Sequence, residues 1–500
     1  MPAKGLRVLF VSAEVAPFST VGGLAQVAYF LSRALKTTGA DVRLFTPKYG
    51  LIDEKKFPME MAYEGLTTEN LSSNVKIYKP TKTTEPTVYF LENMEYYEKR
   101  ANVYGYNDDH VRFALLSKAA LEFVKTGAFV PDVIHINDWH TGYLANYLRT
   151  QYNDDPILKK IAVLFSIHNL HQGNFDFAHA SEMDFDDGKS PLVTFFDDRL
   201  VKQNALKRGV IYSDLINTVS ETYAREITTE EFGRGLHNLF RELRGKISGV
   251  LNGLDYKEFN PATDKIIAKP YSVSNLKSRV ENKKDLQKEF GLKANTDIPL
   301  ICFWGRLDGQ KGIDLIKDTI RFILDEFEIQ FVIQGPAEQY YKDFFLQLEK
   351  DYPGRVGTHL MYDPLLPRKE AAGADVLLQP SYYEPGGIVV IESMRYGCIP
   401  VVRETGGLAD SVTGYDMVRN VGTGFSFKDY NAMSFLVAVV RALELYKNKR
   451  EWEKLVKRSM SQNFSWDTVA KKYLDLYSRV IKFRYEALLP NPPTAFRQMM

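Results

Sequence analysis

Side chains able to hold a phosphorylated ligand stand beside glycines at several points of this chain. Arg306 and Lys311 lie five residues apart in Gly305-Arg306-Leu307-Asp308-Gly309-Gln310-Lys311-Gly312. A planar guanidinium and a flexible ammonium across such a turn can clamp a diphosphate from two sides. Further on, Glu384-Pro385-Gly386-Gly387 leads into an apolar run that carries Glu392. Gly386 and Gly387 there would expose the amino end of a helix, where free N–H groups and the helix dipole favour an anion. Glu384, just outside, can accept hydrogen bonds from sugar hydroxyls. Glu392 follows Ile388, Val389, Val390 and Ile391 and needs a polar partner. Ribose hydroxyls would serve, and so would a buried cation. Thr405-Gly406-Gly407-Leu408-Ala409 echoes Gly22-Gly23-Leu24-Ala25, and both glycine pairs would let a ligand approach the backbone.

A second group is polar rather than charged. His135-Ile136-Asn137-Asp138-Trp139-His140 and His168-Asn169-Leu170-His171 hold four of the eight histidines. Asp138, His140 and Asn169 are of a type that binds sugar hydroxyls. Histidine with aspartate can also ligate a metal, but this spacing matches no helical metal motif, and no metal is expected.

These residues all follow short apolar runs. Leu6–Ser12, Asp41–Thr46, Asp132–Ile136, Ala162–Ile167 and Leu215–Val219 read as buried parallel strands, with a periodic helix at Leu24–Leu35. A mixed stretch from Tyr256 to Thr296 reads as a linker. A second series follows at Pro299–Trp304, Gln330–Gln334, Val376–Gln379 and Ile399–Arg403, with a helix at Gly387–Tyr396. Asn431 to Ala487 reads as helical, and Pro490, Pro492 and Pro493 end the regularity. Alternating strands and helices predict an α/β chain of two parallel-sheet domains. Ligands in such sheets bind beyond the carboxyl ends of strands, so the expected site is an interdomain cleft.

Composition narrows the function. The 500 residues carry 64 basic and 63 acidic side chains, a net charge of +1, so no broad field attracts nucleic acid. The two cysteines, Cys302 and Cys398, exclude a disulfide scaffold and fit a reducing, cytoplasmic setting. No apolar run approaches ~18 residues, so no membrane span is expected. The turn after the first strand lacks the G-x-G-x-x-G of nicotinamide-binding enzymes.

In order, the motifs resemble those of the glycogen/starch synthase family of glycosyltransferases over nearly the whole chain. They run through Gly22-Gly23-Leu24, Asp138-Trp139-His140, Phe165 to Leu170, Thr222 to Ile227 and Leu251-Asn252-Gly253-Leu254-Asp255. They continue through Gly305-Arg306-Leu307, Gln310-Lys311-Gly312, Glu384-Pro385, Arg395-Tyr396-Gly397, Thr405 to Asp410 and Phe464-Ser465-Trp466. The resemblance implies a GT-B fold of two Rossmann-like domains. Residues 1–258 would form the acceptor-side domain and 259–478 the nucleotide-sugar domain, with 479–500 a helix and tail packing back on the first. It implies glucose transfer from ADP-glucose to the non-reducing end of an α-1,4-glucan, with retention of configuration and no cofactor. Glu384, His168, Arg306 and Lys311 would be catalytic. Gly22, Gly23, Asn252, Gly386, Gly387, Glu392, Thr405 and Gly406 would join Arg306 and Lys311 around the donor. Asp138, His140 and Asn169 would meet the sugar or acceptor.

The chain departs from that pattern in places. Thr20 stands where the family usually has lysine, a loss worth ~1.5–3 kcal/mol of phosphate contact. Gln26 replaces the usual aspartate, and the His168 loop is one residue shorter than the common form. Glu392 stands where bacterial glycogen synthases tend to carry tyrosine, and Gln334-Gly335-Pro336-Ala337 replaces a more glycine-rich turn. Two alternatives follow. One is a retaining glucosyltransferase that uses UDP-glucose or a small sugar or sugar-phosphate acceptor. The other is a non-catalytic glucan- or nucleotide-binding relative. Whether the chain is a monomer or a homo-oligomer is left open.

Overall fold

A computed structural model of the chain describes residues 5–170 and 188–489. His171, Pro490, Pro492, Pro493 and the rest of the expected tail to residue 500 lie outside the described residues. Contacts divide the chain into two compact units, Met1–Gly253 with Trp466–Met500, and Leu254–Ser465. The crossing points thus lie at 253/254 and 465/466, about five and thirteen residues before the 258/259 and 478/479 that the resemblance implies.

Unit 1 is built on a nine-stranded sheet. Its strands are β1 (Arg7–Val11), β2 (Asp41–Pro47), β3 (Glu60–Thr68), β4 (Leu71–Tyr78), β5 (Thr87–Glu92), β6 (Val133–Asn137), β7 (Ala162–Ile167), β8 (Leu215–Thr218) and β9 (Ile247–Gly249). The spatial order is β3-β4-β5-β2-β1-β6-β7-β8-β9. β4 runs antiparallel to both β3 and β5, and the other neighbours are parallel. Val8, Leu9, Phe10 and Val11 of β1 have no exposed surface, because helices cover both sheet faces. The helix Gly23–Thr37 buries Leu24, Val27, Ala28, Leu31 and Leu35 as one stripe. Each such leucine or valine contributes roughly 1.5–3 kcal/mol on leaving water. The last helix, Trp466–Ala487, packs on this helix and on β7. Its Tyr477 hydroxyl meets His135 Nδ1 at 2.8 Å, and its Tyr473 hydroxyl accepts from Asn217 at 3.1 Å.

Unit 2 has six strands: β10 (Leu300–Trp304), β11 (Gln330–Gln334), β12 (Val356–His359), β13 (Val376–Gln379), β14 (Ile399–Arg403) and β15 (Phe425–Phe427). All pair in parallel, in the order β12-β11-β10-β13-β14-β15. That is the doubly wound order, in which the direction of winding reverses between β10 and β13. If the added hairpin β3-β4 and the outer strand β9 are set aside, unit 1 repeats it, with the reversal between β1 and β6. At a reversal the two flanking loops part, which leaves room for a ligand beyond the strand ends.

Candidate functional site

In unit 2 the loops after β10 and β13 meet at the reversal. Asp308 caps the short turn Gly309–Lys311 by accepting from the Lys311 amide at 3.1 Å. The Leu307 amide donates to the Pro336 carbonyl at 2.8 Å, so the Gln334–Ala337 loop braces the Arg306 turn. The Tyr382 amide donates to the Gln310 carbonyl at 2.9 Å and ties the two loops together. Across this join, Lys311 Nζ reaches Glu384 Oε2 at 2.5 Å. The Ser381 hydroxyl donates to the same oxygen at 3.2 Å and accepts from Gln379 Nε2 at 3.1 Å. Glu384 Oε1 takes no protein hydrogen bond among the described residues. One oxygen is therefore anchored and the other is free to accept.

Gly386 and Gly387 lead into the helix Ile388–Tyr396, which has no side-chain cap at its amino end. Gly387 sits at φ 64° as the N-cap, and Gly406 at φ 46°. A side chain on Gly406 would collide with the Glu384 carbonyl oxygen, so the glycine pair after β14 lets the two loops close on each other. Thr405 is the N-cap of the helix Gly406–Ser411, and the Gly407 amide donates to the Glu384 carbonyl at 2.9 Å. Arg306 behaves differently. Its guanidinium pairs with Asp308 at 3.0 Å and donates to Gln310 at 3.0 Å, and the side chain remains exposed. The two cations expected to act as a pair are thus held in different ways, Lys311 on Glu384 and Arg306 on its own turn.

Glu392 lies on the same helix. Burial pushes its carboxyl up to about 7, against a lowering by the Arg368 charge, while Glu258 raises it further. Arg368 is the cation that the apolar setting called for, but it is shared. It pairs with Glu258 at 2.8 Å and Asp264 at 3.1 Å.

In unit 1 the loops after β1, β6 and β7 form the counterpart. Glu14, buried, accepts from the Val21 amide at 2.6 Å and the Gly22 amide at 3.1 Å. Burial raises its carboxyl above the usual range, and the two amides oppose that rise. An internal carboxylate therefore binds the Val21 and Gly22 amides of the turn that the resemblance places beside the donor. Glu14 interrupts the apolar run from Leu6 to Val15. A carboxylate in such a run needs partners, and that was the signal available.

Asp138 adopts φ 55°, rare for a non-glycine residue. Its Oδ1 accepts from the His168 amide at 2.7 Å and the Asn169 amide at 3.3 Å. Asn137 Oδ1 meets His168 Nε2 at 2.9 Å. His168 keeps part of its surface in solvent but is crowded by protein, and desolvation lowers its ring to about 3. His140 is buried, stacked on Tyr104 at 4.7 Å with Phe113 edge-on at 4.8 Å, and burial holds it at about 3. Its ring packs within an aromatic cluster that also includes Trp139 at 4.3 Å. Asn252 is buried, and its Oδ1 has no hydrogen-bond partner among the described residues. The structure thus joins Asp138, His168 and Asn169 through hydrogen bonds, and joins Lys311 with Glu384. Among the described residues no group of three or more His, Cys, Asp or Glu could hold a metal ion, and no helix is long and apolar enough to cross a membrane.

Comparison with known proteins agrees with this geometry. Residues 7–242 match the starch synthase catalytic domain, and residues 284–458 match the group 1 glycosyl transferases. The chain is 40% identical to a glycogen synthase of Thermotoga petrophila, covering 95% of this chain and 99% of the relative. It is 38% identical to a glycogen synthase of Clostridium novyi, over 95% and 99%. Among solved structures it resembles the catalytic domain of starch synthase IV from Arabidopsis thaliana, bound to ADP and acarbose. That match has a TM-score of 0.83 and 31% identity over 96% of this chain and 100% of the other. A sucrose-phosphate synthase from Thermosynechococcus elongatus, at 18% identity and a TM-score of 0.59 over 95% and 99%, shares the fold. With both domain types matched in order and relatives aligned end to end, the chain belongs to the glycogen/starch synthase family of GT-B glycosyltransferases.

Proposed function

We propose that this chain transfers glucose from ADP-glucose to the 4-hydroxyl at the non-reducing end of an α-1,4-glucan, with retention of configuration, in the cytoplasm and without a metal. The observation that carries this reading is the Lys311–Glu384 contact at the reversal of the unit 2 sheet, beside an uncapped helix end. Lys311 is paired with Glu384. An incoming diphosphate offers the ammonium a stronger partner, and its remaining N–H donors can serve both. Arg306, exposed on its turn, adds a second cation by exchanging Asp308 for phosphate. The amides of Gly386, Gly387 and Gly406, with Thr405, complete the anion's surroundings, and Glu392 takes ribose hydroxyls. By the family resemblance, Gly22, Gly23 and Asn252 also contact the donor. Glu384 Oε1, His168, Asn169 and Asp138 serve the glucose and acceptor hydroxyls, and Asp138 does so through the loop it holds.

The ADP moiety is carried over from the starch synthase IV relative, whose structure holds ADP and acarbose. In this reading the reaction is a front-face substitution. The acceptor hydroxyl attacks on the side from which the diphosphate leaves, and the leaving oxygen takes the proton. Positive side chains and helix amides stabilise the departing charge, which is the largest catalytic contribution. The test is product analysis with labelled ADP-glucose and UDP-glucose, each with a maltooligosaccharide acceptor. Elongation by one α-1,4-linked glucose from ADP-glucose is expected. Elongation from UDP-glucose alone overturns the donor assignment, and no elongation from either donor overturns the activity.

A further inference from the structure

Asn137 is fully buried at the end of β6, directly behind His168. Its side-chain amide is fixed by what surrounds it. Nδ2 donates to the Val11 carbonyl at 3.0 Å and the His135 carbonyl at 3.3 Å. Turning the amide over would set Oδ1 against two carbonyl oxygens, so Oδ1 must face His168, and it does at 2.9 Å. An amide oxygen only accepts, so the ring nitrogen opposite it must carry the proton. The backbone is held as firmly. The Asn137 amide donates to Thr141 Oγ1 at 2.6 Å, and Asp138 Oδ1 grips the His168 amide at 2.7 Å. With the backbone fixed on both sides, turning the ring about its Cβ–Cγ bond would carry Nε2 away from Asn137 Oδ1 and break that bond. Nδ1 has no protein partner among the described residues.

We propose that Asn137 is a positioning residue that locks His168 as the Nε2–H tautomer, so that the ring meets a sugar only as a hydrogen-bond acceptor through Nδ1. The inference rests on the sugar-binding role given to His168 above and adds its direction. A ring whose single proton is spent on Asn137 can receive a hydroxyl hydrogen but can neither donate to a sugar oxygen nor act as a general acid. Burial that keeps the ring neutral fits the same picture.

The test uses the full-length protein with ¹⁵N-labelled histidine, and His168→Ala identifies the signal among the eight histidines. In the wild type, Nε2 is expected in the protonated range and Nδ1 in the unprotonated range. The opposite pattern, or a doubly protonated ring at neutral pH, overturns the proposal. In Asn137→Leu, which removes the acceptor at similar volume, the two tautomers should mix. Transfer should then fall about tenfold in kcat with little change in donor KM, as for the loss of one neutral hydrogen bond. An unchanged tautomer in that variant also overturns the proposal. If Asn137→Leu does not fold, the wild-type spectrum still decides. His168→Ala with undiminished transfer would remove the sugar-binding role while leaving the tautomer result to stand on its own, so the two failures are distinguishable.

Discussion

The two units share a winding order but hold their candidate residues by opposite means. In unit 2, Lys311 is paired with Glu384 and Arg306 with Asp308, so charge meets charge. In unit 1, Asn137 holds the His168 ring, Asp138 holds the His168 and Asn169 amides, and Glu14 holds the Val21 and Gly22 amides. The first kind of contact is exchangeable, because a diphosphate can replace a carboxylate beside a cation with little rearrangement. The second kind is permanent, because an amide that lost its carboxylate would be left unpaired. A transferase needs both: a site that changes partner when the donor arrives, and a frame that does not move as the glucosyl group passes.

The largest expected effect comes from the exchangeable side. Lys311→Ala removes a cation from the diphosphate and strands Glu384 in a largely buried setting. Transfer should fall by roughly a hundredfold or more, the scale for losing one oriented charge-stabilising donor. Steady-state rates with the labelled donor check this, and wild-type turnover would remove Lys311 from the site.

On the permanent side the loss should appear in stability. Glu14→Ala deletes the acceptor of two backbone amides and should cost roughly 2–3 kcal/mol. Glu14→Gln keeps one oxygen and should cost about half as much. Thermal unfolding of the two variants measures both values, and equal, negligible shifts would mean that the Gly22 turn holds itself.

A pH effect follows from Glu392. Its carboxyl is raised from an ordinary 4.5 to about 7. A carboxyl raised on folding binds its proton more tightly in the folded state. Its stabilisation is therefore complete below about 4.5 and is lost as pH rises through about 7. The wild type should lose roughly 2 kcal/mol between about pH 5 and 8 through this group. Glu392→Gln should flatten that part of the curve in chemical unfolding at several pH values. An equal slope in both proteins would place the charge in solvent.

Much of this was legible in the sequence, and the misses have physical causes. The parallel strands β1, β2, β6, β7, β8, β10, β11, β13 and β14 are runs of apolar residues covered on both faces, so composition marks them. The antiparallel strands β3 and β4 read Glu-Met-Ala-Tyr-Glu-Gly-Leu-Thr-Thr and Leu-Ser-Ser-Asn-Val-Lys-Ile-Tyr. They lie at a sheet edge, β3 mostly exposed and β4 alternating buried with half-buried residues, and neither is a continuous apolar run. β12 and β15 are the two edge strands of unit 2: β12 reads Val-Gly-Thr-His, with little apolar content, and β15 has only three residues. At the site, glycine, arginine and lysine could be read because the chemistry demands those types. Asn137, Glu14 and Ser381 could not, because their importance lies in which atom they face. Asp138 was singled out as a sugar ligand. Its φ of 55° and its Oδ1, which accepts from two amides, add a loop-holding part that residue type alone does not reveal.

The smallest effect sharpens the comparison most. Ser381 donates to the Glu384 oxygen that also receives Lys311, and it is itself fed by Gln379. Ser381→Ala should reduce kcat only ~3–10-fold, the scale for losing one neutral hydrogen bond. The informative quantity is the double variant with Lys311→Ala. If both donors act by fixing one carboxylate oxygen, removing the second after the first loses less than the product of the single effects. If Lys311 acts wholly through the diphosphate, the two losses multiply. Multiplied losses would make the Lys311–Glu384 pair a resting arrangement that the bound donor dissolves. Sub-multiplicative losses would mean that part of the pair survives into the reacting complex, so that the exchangeable side of the molecule also keeps a fixed element.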